Sequence, residues 1–165
     1  MTESSARNIL EALKATGIQL IASLPDSRFA DLERIVGQDS EFRHVMVANE
    51  ADGLAICGGA WLGGIKSAMF MENSGLLLSG YVLSRFHIAF GIPNLLLVAY
   101  RGDIGDGNWW ASPLGHVTEP VLRSLGLPYI VVRSSGEIAG AIEKADKTAM
   151  ASLLPAVVLF GMGSL

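Results

Sequence analysis

Val45-Met-Val-Ala-Asn-Glu-Ala-Asp-Gly-Leu-Ala-Ile-Cys-Gly-Gly-Ala-Trp-Leu-Gly-Gly64 decides how the rest of the chain is read. It opens on apolar β-formers, Val45 to Ala48, and turns polar at Asn49 and Glu50. A small-residue helical pattern follows from Ala51 to Leu62 and stops on Gly63-Gly64. This is the signature of a buried strand that delivers one carboxylate, Glu50, to the N-terminal end of a closely packed helix. Free amides and the helix dipole stabilise an ionised carboxylate there. The plainer alternative is that Asn49 or Glu50 simply caps the helix. Spacing alone leaves both readings open.

Outward from this segment, strand-length apolar runs alternate with helical patterns. Ser4 or Ser5 can cap a first helix carrying Ile9, Leu10 and Leu13, which Gly17 stops. Ile18 to Leu24 reads as a strand ending in Pro25-Asp26-Ser27, and Arg28 to Val36 as the next helix. Phe42 to Ala48 is the second strand and Glu50 to Leu62 the second crossover helix. Ile65 to Met71 is a strand followed by a flexible polar turn, Glu72-Asn73-Ser74-Gly75. Leu76 to Phe90 reads as one long buried helix, and Asn94 to Tyr100 as a strand without alternation, hence buried on both faces. Helices over about Val117–Leu125 and Ser135–Ala151 frame strands Tyr129–Val132 and Ala156–Phe160. The expected fold is α/β: a three-layer, doubly wound parallel sheet of about six strands, Rossmann-like, forming a single domain over residues 1–165. Ligands in such sheets sit at the carboxyl ends of the strands. Here those ends carry Pro25-Asp26-Ser27, Asn49-Glu50, Glu72-Asn73-Ser74 and Arg101 onward.

Composition narrows the partners. Half of the 165 residues are apolar and 17% are charged, which implies that other chains cover part of the surface. A net charge of −4 recommends neither nucleic acid nor an anionic membrane. The longest apolar region, Ala68 to Tyr100, is broken by Glu72, Asn73, Arg85, His87 and Pro93, too often for a membrane span. One cysteine, Cys57, excludes an internal disulfide framework and fits a reducing cytoplasm. The polar segment Met1 to Asn8 carries no apolar signal core.

Several chemistries are missing. No Gly-x-Gly-x-x-Gly follows the first strand, no Walker motif occurs, and no Gly-x-Ser-x-Gly elbow marks a nucleophile. His44, His87 and His116 lack metal-ligand spacing. His87 sits in an apolar helix and reads as structural, whereas His116 follows a long loop and could face a site. Cys57 has no neighbouring base and reads as an inert core thiol. Gly58-Gly59 suits close packing, and Trp61 suits a core or an interface. The loop Arg101 to Gly115 holds four Gly, two Asp and Trp109-Trp110. Loops of that length usually bind something.

With these residues in place, the chain resembles the pyrimidine-binding domain of thiamine diphosphate enzymes. Within them it is similar to the sulfopyruvate and phosphonopyruvate decarboxylase family. The supporting segments are Leu24-Pro-Asp-Ser27, Asn49-Glu-Ala-Asp-Gly53, Met71-Glu-Asn-Ser-Gly-Leu76, Arg101-Gly-Asp103 and Thr118-Glu-Pro-Val121. The resemblance implies that Glu50 hydrogen-bonds N1′ of the cofactor's aminopyrimidine and so promotes loss of the thiazolium C2 proton. It further implies cofactor contacts from Pro25, Asn73 and Ser74, substrate contacts from Asp26, Ser27 and Arg101, and a catalytic role for His116 in proton transfer. The bland alternative for Arg101 is a salt bridge to Asp103.

These enzymes bind Mg2+ and diphosphate through Gly-Asp-Gly followed by a distant Asn. Gly105-Asp106-Gly107 lies in a loop and no Asn follows Asn108, so it reads as flexible loop without a metal role. The diphosphate-binding domain and its Mg2+ are then expected on a separate β subunit, with homotypic contacts between pyrimidine domains in an αβ hetero-oligomer. The expected activity is decarboxylation of a 2-keto acid, sulfopyruvate or a related 3-substituted pyruvate, in the cytoplasm. The rivals are a carboligating, acetolactate synthase-like subunit and a non-catalytic assembly or regulatory module. Trp109-Trp110 suggests a subunit contact, or a bulkier substrate.

Overall fold

The computed structural model describes residues 1–165. Six strands form one parallel sheet: β1 (Leu20–Ser23), β2 (Arg43–Met46), β3 (Ser67–Glu72), β4 (Asn94–Ala99), β5 (Tyr129–Val132) and β6 (Pro155–Phe160). Their order is β2-β1-β3-β4-β6-β5. Every residue of β1, β4 and β6 is buried, which explains why these runs show no polar alternation.

Successive side chains go to opposite faces and divide the core in two. On one face Ile21, Ala68, Phe70, Leu95 and Leu97 meet the helices α1 (Glu3–Ala15), α2 (Ala30–Val36) and α7 (Ile138–Ser152). On the other, Leu20, Met69, Met71, Leu96 and Val98 meet α3 (Glu50–Leu62), α4 (Asn73–Leu78), α5 (Gly80–Val82) and α6 (Ser112–Ser124). The expected three layers are therefore present.

The chain steps from β1 outward to β2, then returns to place β3 on the other side of β1. That reversal is a topological switch point, and the carboxyl ends of β1 and β3 beside it are where sheets of this kind take their ligands.

Four local expectations need correction. Thr2, not Ser4 or Ser5, caps α1, its hydroxyl accepting from the Ser5 amide at 3.1 Å. The turn expected at Glu72–Gly75 is the last residue of β3 and the first turn of α4. The long helix expected from Leu76 to Phe90 breaks at Ser79, then resumes as α5 and widens into a π-helix over Leu83–Ile88. Within that π segment, His87 is fully buried with both ring nitrogens against carbonyls of Leu54 and Ile92, at 3.0 and 3.1 Å. Finally, α6 starts at Ser112 with a proline in its first turn, so Pro120 lies inside the helix.

Candidate active site

The β2–α3 junction places Glu50. Asn49 is extended, with φ −151° and ψ 138°, and its side-chain oxygen accepts from the Ala51 amide at 2.8 Å. Asn49 is therefore the cap, and Glu50 is left with its carboxylate uncommitted. That carboxylate forms no hydrogen bond or ion pair within the chain although the residue is only 7% exposed. It abuts Gly75 in the first turn of α4, where a Cβ would collide with the carboxylate. The helix α3 can approach the sheet this closely because Gly53 lies against Met69 of β3, and Gly58 lets it pack equally closely on Phe86 of the π segment. The small-residue run thus serves packing inside the chain.

The ends of β3 and β4 are laced together by Asn73, which is fully buried. Its amide donates to the Arg101 carbonyl at 2.9 Å and the Thr118 hydroxyl at 2.8 Å, and accepts from the Arg101 amide at 3.0 Å. Ser74 donates to Glu72 at 2.8 Å. Both side chains are thus tied within the protein and fix the β3–α4 turn beneath Glu50.

Arg101 does not pair with Asp103. Its Nε donates to Asp106 at 2.8 Å, Glu72 lies 3.9 Å from its Nη1, and its guanidinium stacks 4.5 Å over Trp110. Asp103 instead takes Arg133 at 2.7 Å. Nor is Gly105-Asp106-Gly107 a loose loop: Asp106 accepts from Arg101, from the Gly102 amide and from both the amide and side chain of Asn108. The Arg101 guanidinium foremost, with these donors, holds the Asp106 carboxyl well below the usual carboxylate range. Gly102 makes the turn possible, with φ +75° and the backbones of Ala111 and Gly115 where a Cβ would sit.

After β1, Asp26 accepts the Arg28 amide at 2.7 Å and Ser27 is exposed without a partner, as is Pro25. Phe29 is fully buried against Phe70 and Phe160, with ring centroids 5.7 and 5.9 Å away. Anchored by Phe29, Arg28 reaches from the end of β1 to the end of β6, donating to the Gly161 carbonyl at 3.1 Å. His116 is exposed on α6 without a hydrogen-bond partner. Burial pushes the Cys57 thiol up to about 11, and it stays a core group.

No family model matches the chain. It is 31% identical over 160 residues to the sulfopyruvate decarboxylase subunit alpha of Methanothermobacter thermautotrophicus, covering 96% of this chain and 97% of that one. The chain belongs to the sulfopyruvate decarboxylase α-subunit family. A further relative, the sulfopyruvate decarboxylase of Methanosarcina acetivorans, is 31% identical over 124 residues, which are 75% of this chain and 32% of that longer protein. Among solved structures, the thiamine diphosphate-dependent 4-hydroxybenzoylformate decarboxylase of Rhodococcus jostii superposes with a TM-score of 0.74 at 18% identity. The match covers 95% of this chain and 30% of that one and supports the fold.

As an α subunit of this decarboxylase family, the chain gathers most of its expected site residues on one sheet edge. Glu50, Asn73, Ser74, Asp26 and Arg101 all follow strands that neighbour one another. Arg28 joins them, although its sequence context marks only the start of a helix. The available signal was its position between the Pro25-Asp26-Ser27 turn and an apolar Phe29. No helix in the chain is long and apolar enough to cross a membrane.

Proposed function

We propose that this chain is the pyrimidine-binding half of a thiamine diphosphate-dependent 2-keto acid decarboxylase acting on sulfopyruvate or a related 3-substituted pyruvate. The observation that carries the reading is Glu50, a residue only 7% exposed at the switch-point edge, whose carboxylate has no partner in its own chain. Groups of that kind are expected to have a partner, and a cofactor nitrogen meets the need. Gly75, lacking a Cβ, lets that carboxylate lie against the first turn of α4, and its uncommitted oxygens fit the ring nitrogen of an aminopyrimidine. Glu50 would hold the ring at N1′ and exchange a proton with that atom. Asn73 and Ser74, through the turn they brace, and Pro25, on the facing loop, would shape the cofactor's bed.

Thiamine diphosphate, when bound, supplies a nucleophilic carbon and an electron sink for carbon dioxide loss. The chain's own share is position, orientation and exclusion of water. Asp26 and Ser27 edge the space left for substrate, Arg101 braces the loop beside it, and His116, exposed on α6, would be the proton-transfer group.

The diphosphate and its Mg2+ are assigned to a partner β subunit, because Asp106 is already bound by Arg101. Exposed apolar side chains favour such assembly: Met46 and Leu62 are each 69% exposed, Tyr81 75%, Phe90 73% and Trp109 86%. The test is to co-purify the native complex and screen 2-keto acids for carbon dioxide release. Release from sulfopyruvate supports the proposal. A complex that binds no thiamine diphosphate and releases no carbon dioxide rejects it.

A further inference from the structure

Two arginines lie over the carboxyl ends of the strands, and only one of them is neutralised. Arg101 has Asp106 and Glu72 beside it and Trp110 beneath it. Arg28 forms no ion pair. Its guanidinium donates to two neutral groups, the Gly161 carbonyl at 3.1 Å and the Met162 thioether at 3.4 Å. A thioether is a weak acceptor, and a guanidinium offers five donors in a fork that matches a carboxylate, sulfonate or phosphonate. The cation is also partly withdrawn from water. Burial first, and then the neighbouring Arg101 charge, make its protonated form harder to hold than at the surface. Three carboxylates face it, Asp26, Glu72 and Asp106, but none reaches ion-pair distance.

Its placement is fixed from both ends. Phe29 is locked between Phe70 of β3 and Phe160 of β6. The Arg28 amide is held by Asp26. The side chain therefore starts after β1 and ends against the residue after β6, lying over the carboxyl ends of the strands between them.

We propose that Arg28 is a substrate-specificity residue: the ligand for the terminal anion of a 3-substituted pyruvate, with Arg101 acting instead as a brace for the loop that carries Trp110. A sulfonate would displace the thioether contact and give the guanidinium the charged partner it lacks. This rests on the decarboxylase reading given above, and the test separates the two. Calorimetric titration of the assembled αβ complex uses 3-sulfopropanoate, which has a carboxylate and a sulfonate but no keto group to react. Propanoate, which lacks the sulfonate, is the control.

Arg28→Met keeps the aliphatic stem and removes the charge. It should weaken 3-sulfopropanoate roughly 10- to 100-fold, the range expected for a lost charge-assisted hydrogen bond. Propanoate should weaken much less, and Arg28→Lys should recover part of the loss. The ratio of kcat/KM for sulfopyruvate over pyruvate should fall in the same order. Unchanged 3-sulfopropanoate affinity in Arg28→Met, equal weakening of both ligands, or no binding by the wild-type complex would overturn the assignment. A wild-type complex that binds the sulfonate through Arg28 yet releases no carbon dioxide from any keto acid would sink the decarboxylase reading and leave this one standing.

Discussion

Gly75→Ala tests whether the fold positions Glu50 through a single missing methyl group. Gly75 is buried in the first turn of α4, and its backbone is helical, so alanine meets no conformational penalty there. Alanine should in fact favour the helix by about 1 kcal/mol. The new Cβ, however, would fall on the Glu50 carboxylate. Overpacking of this kind costs roughly 1–3 kcal/mol, so the net loss of stability should be about 0–2 kcal/mol. For a chain of 165 residues that is a fall in Tm of less than about 8 °C.

Function should respond far more. Moving a reacting group by about 1 Å costs on the order of 100-fold in rate. The assay is kcat/KM for carbon dioxide release by the αβ complex, beside a thermal melt of the same sample. Gly140→Ala is the control, since nothing meets a Cβ at that position on α7. It should gain up to about 1 kcal/mol and leave kcat/KM unchanged. A folded Gly75→Ala complex with wild-type kcat/KM would show that the Glu50–Gly75 contact does not set the site.

The braces beneath Glu50 should behave differently. Asn73→Ala strands the buried Arg101 amide and carbonyl contacts and should cost about 2–4 kcal/mol, read by denaturant unfolding. Asp106→Asn should cost roughly 1–3 kcal/mol near neutral pH by weakening the hold on Arg101. Because the folded-state carboxyl is depressed, the unfolded chain takes up this proton first as pH falls. The contribution is complete above about pH 4 and fades below it, so the variant's Tm should drop less steeply with acid than the wild type's.

The centre of the sheet was legible because its inner strands are buried on both faces: runs such as Leu95-Leu-Leu-Val98 have no reason to alternate, and turn residues bound them. The site edge was legible for the same reason, since polar residues cluster where those runs stop. The strand before Glu50 is not the buried one expected, because β2 is an edge strand whose residues are exposed or half-buried. What lay out of reach depends on contacts between distant segments. The strand order, with β6 inserted between β4 and β5, follows from packing of α7 and not from local pattern. The break at Ser79 separates α4, which packs beside Glu50, from a π segment organised around His87. Arg101 chose Asp106 over the nearer Asp103 because the turn at Gly102 folds the loop back on itself, while Asp103 meets Arg133 from β5's end. Arg28 looked like a helix start because nothing local reveals that Phe29 is pinned between two strands.

If Glu50 is kept free of its own chain to act on the aminopyrimidine of a cofactor that a second subunit grips, removing its charge should stop the reaction and leave the fold intact. The direct measurement is single-turnover carbon dioxide release from sulfopyruvate by the αβ complex, wild type against Glu50→Gln, at saturating thiamine diphosphate. The expected outcome is an intact complex with an unchanged melting profile and a loss of release of at least about 100-fold. Release at the wild-type rate by the folded Gln complex would contradict it.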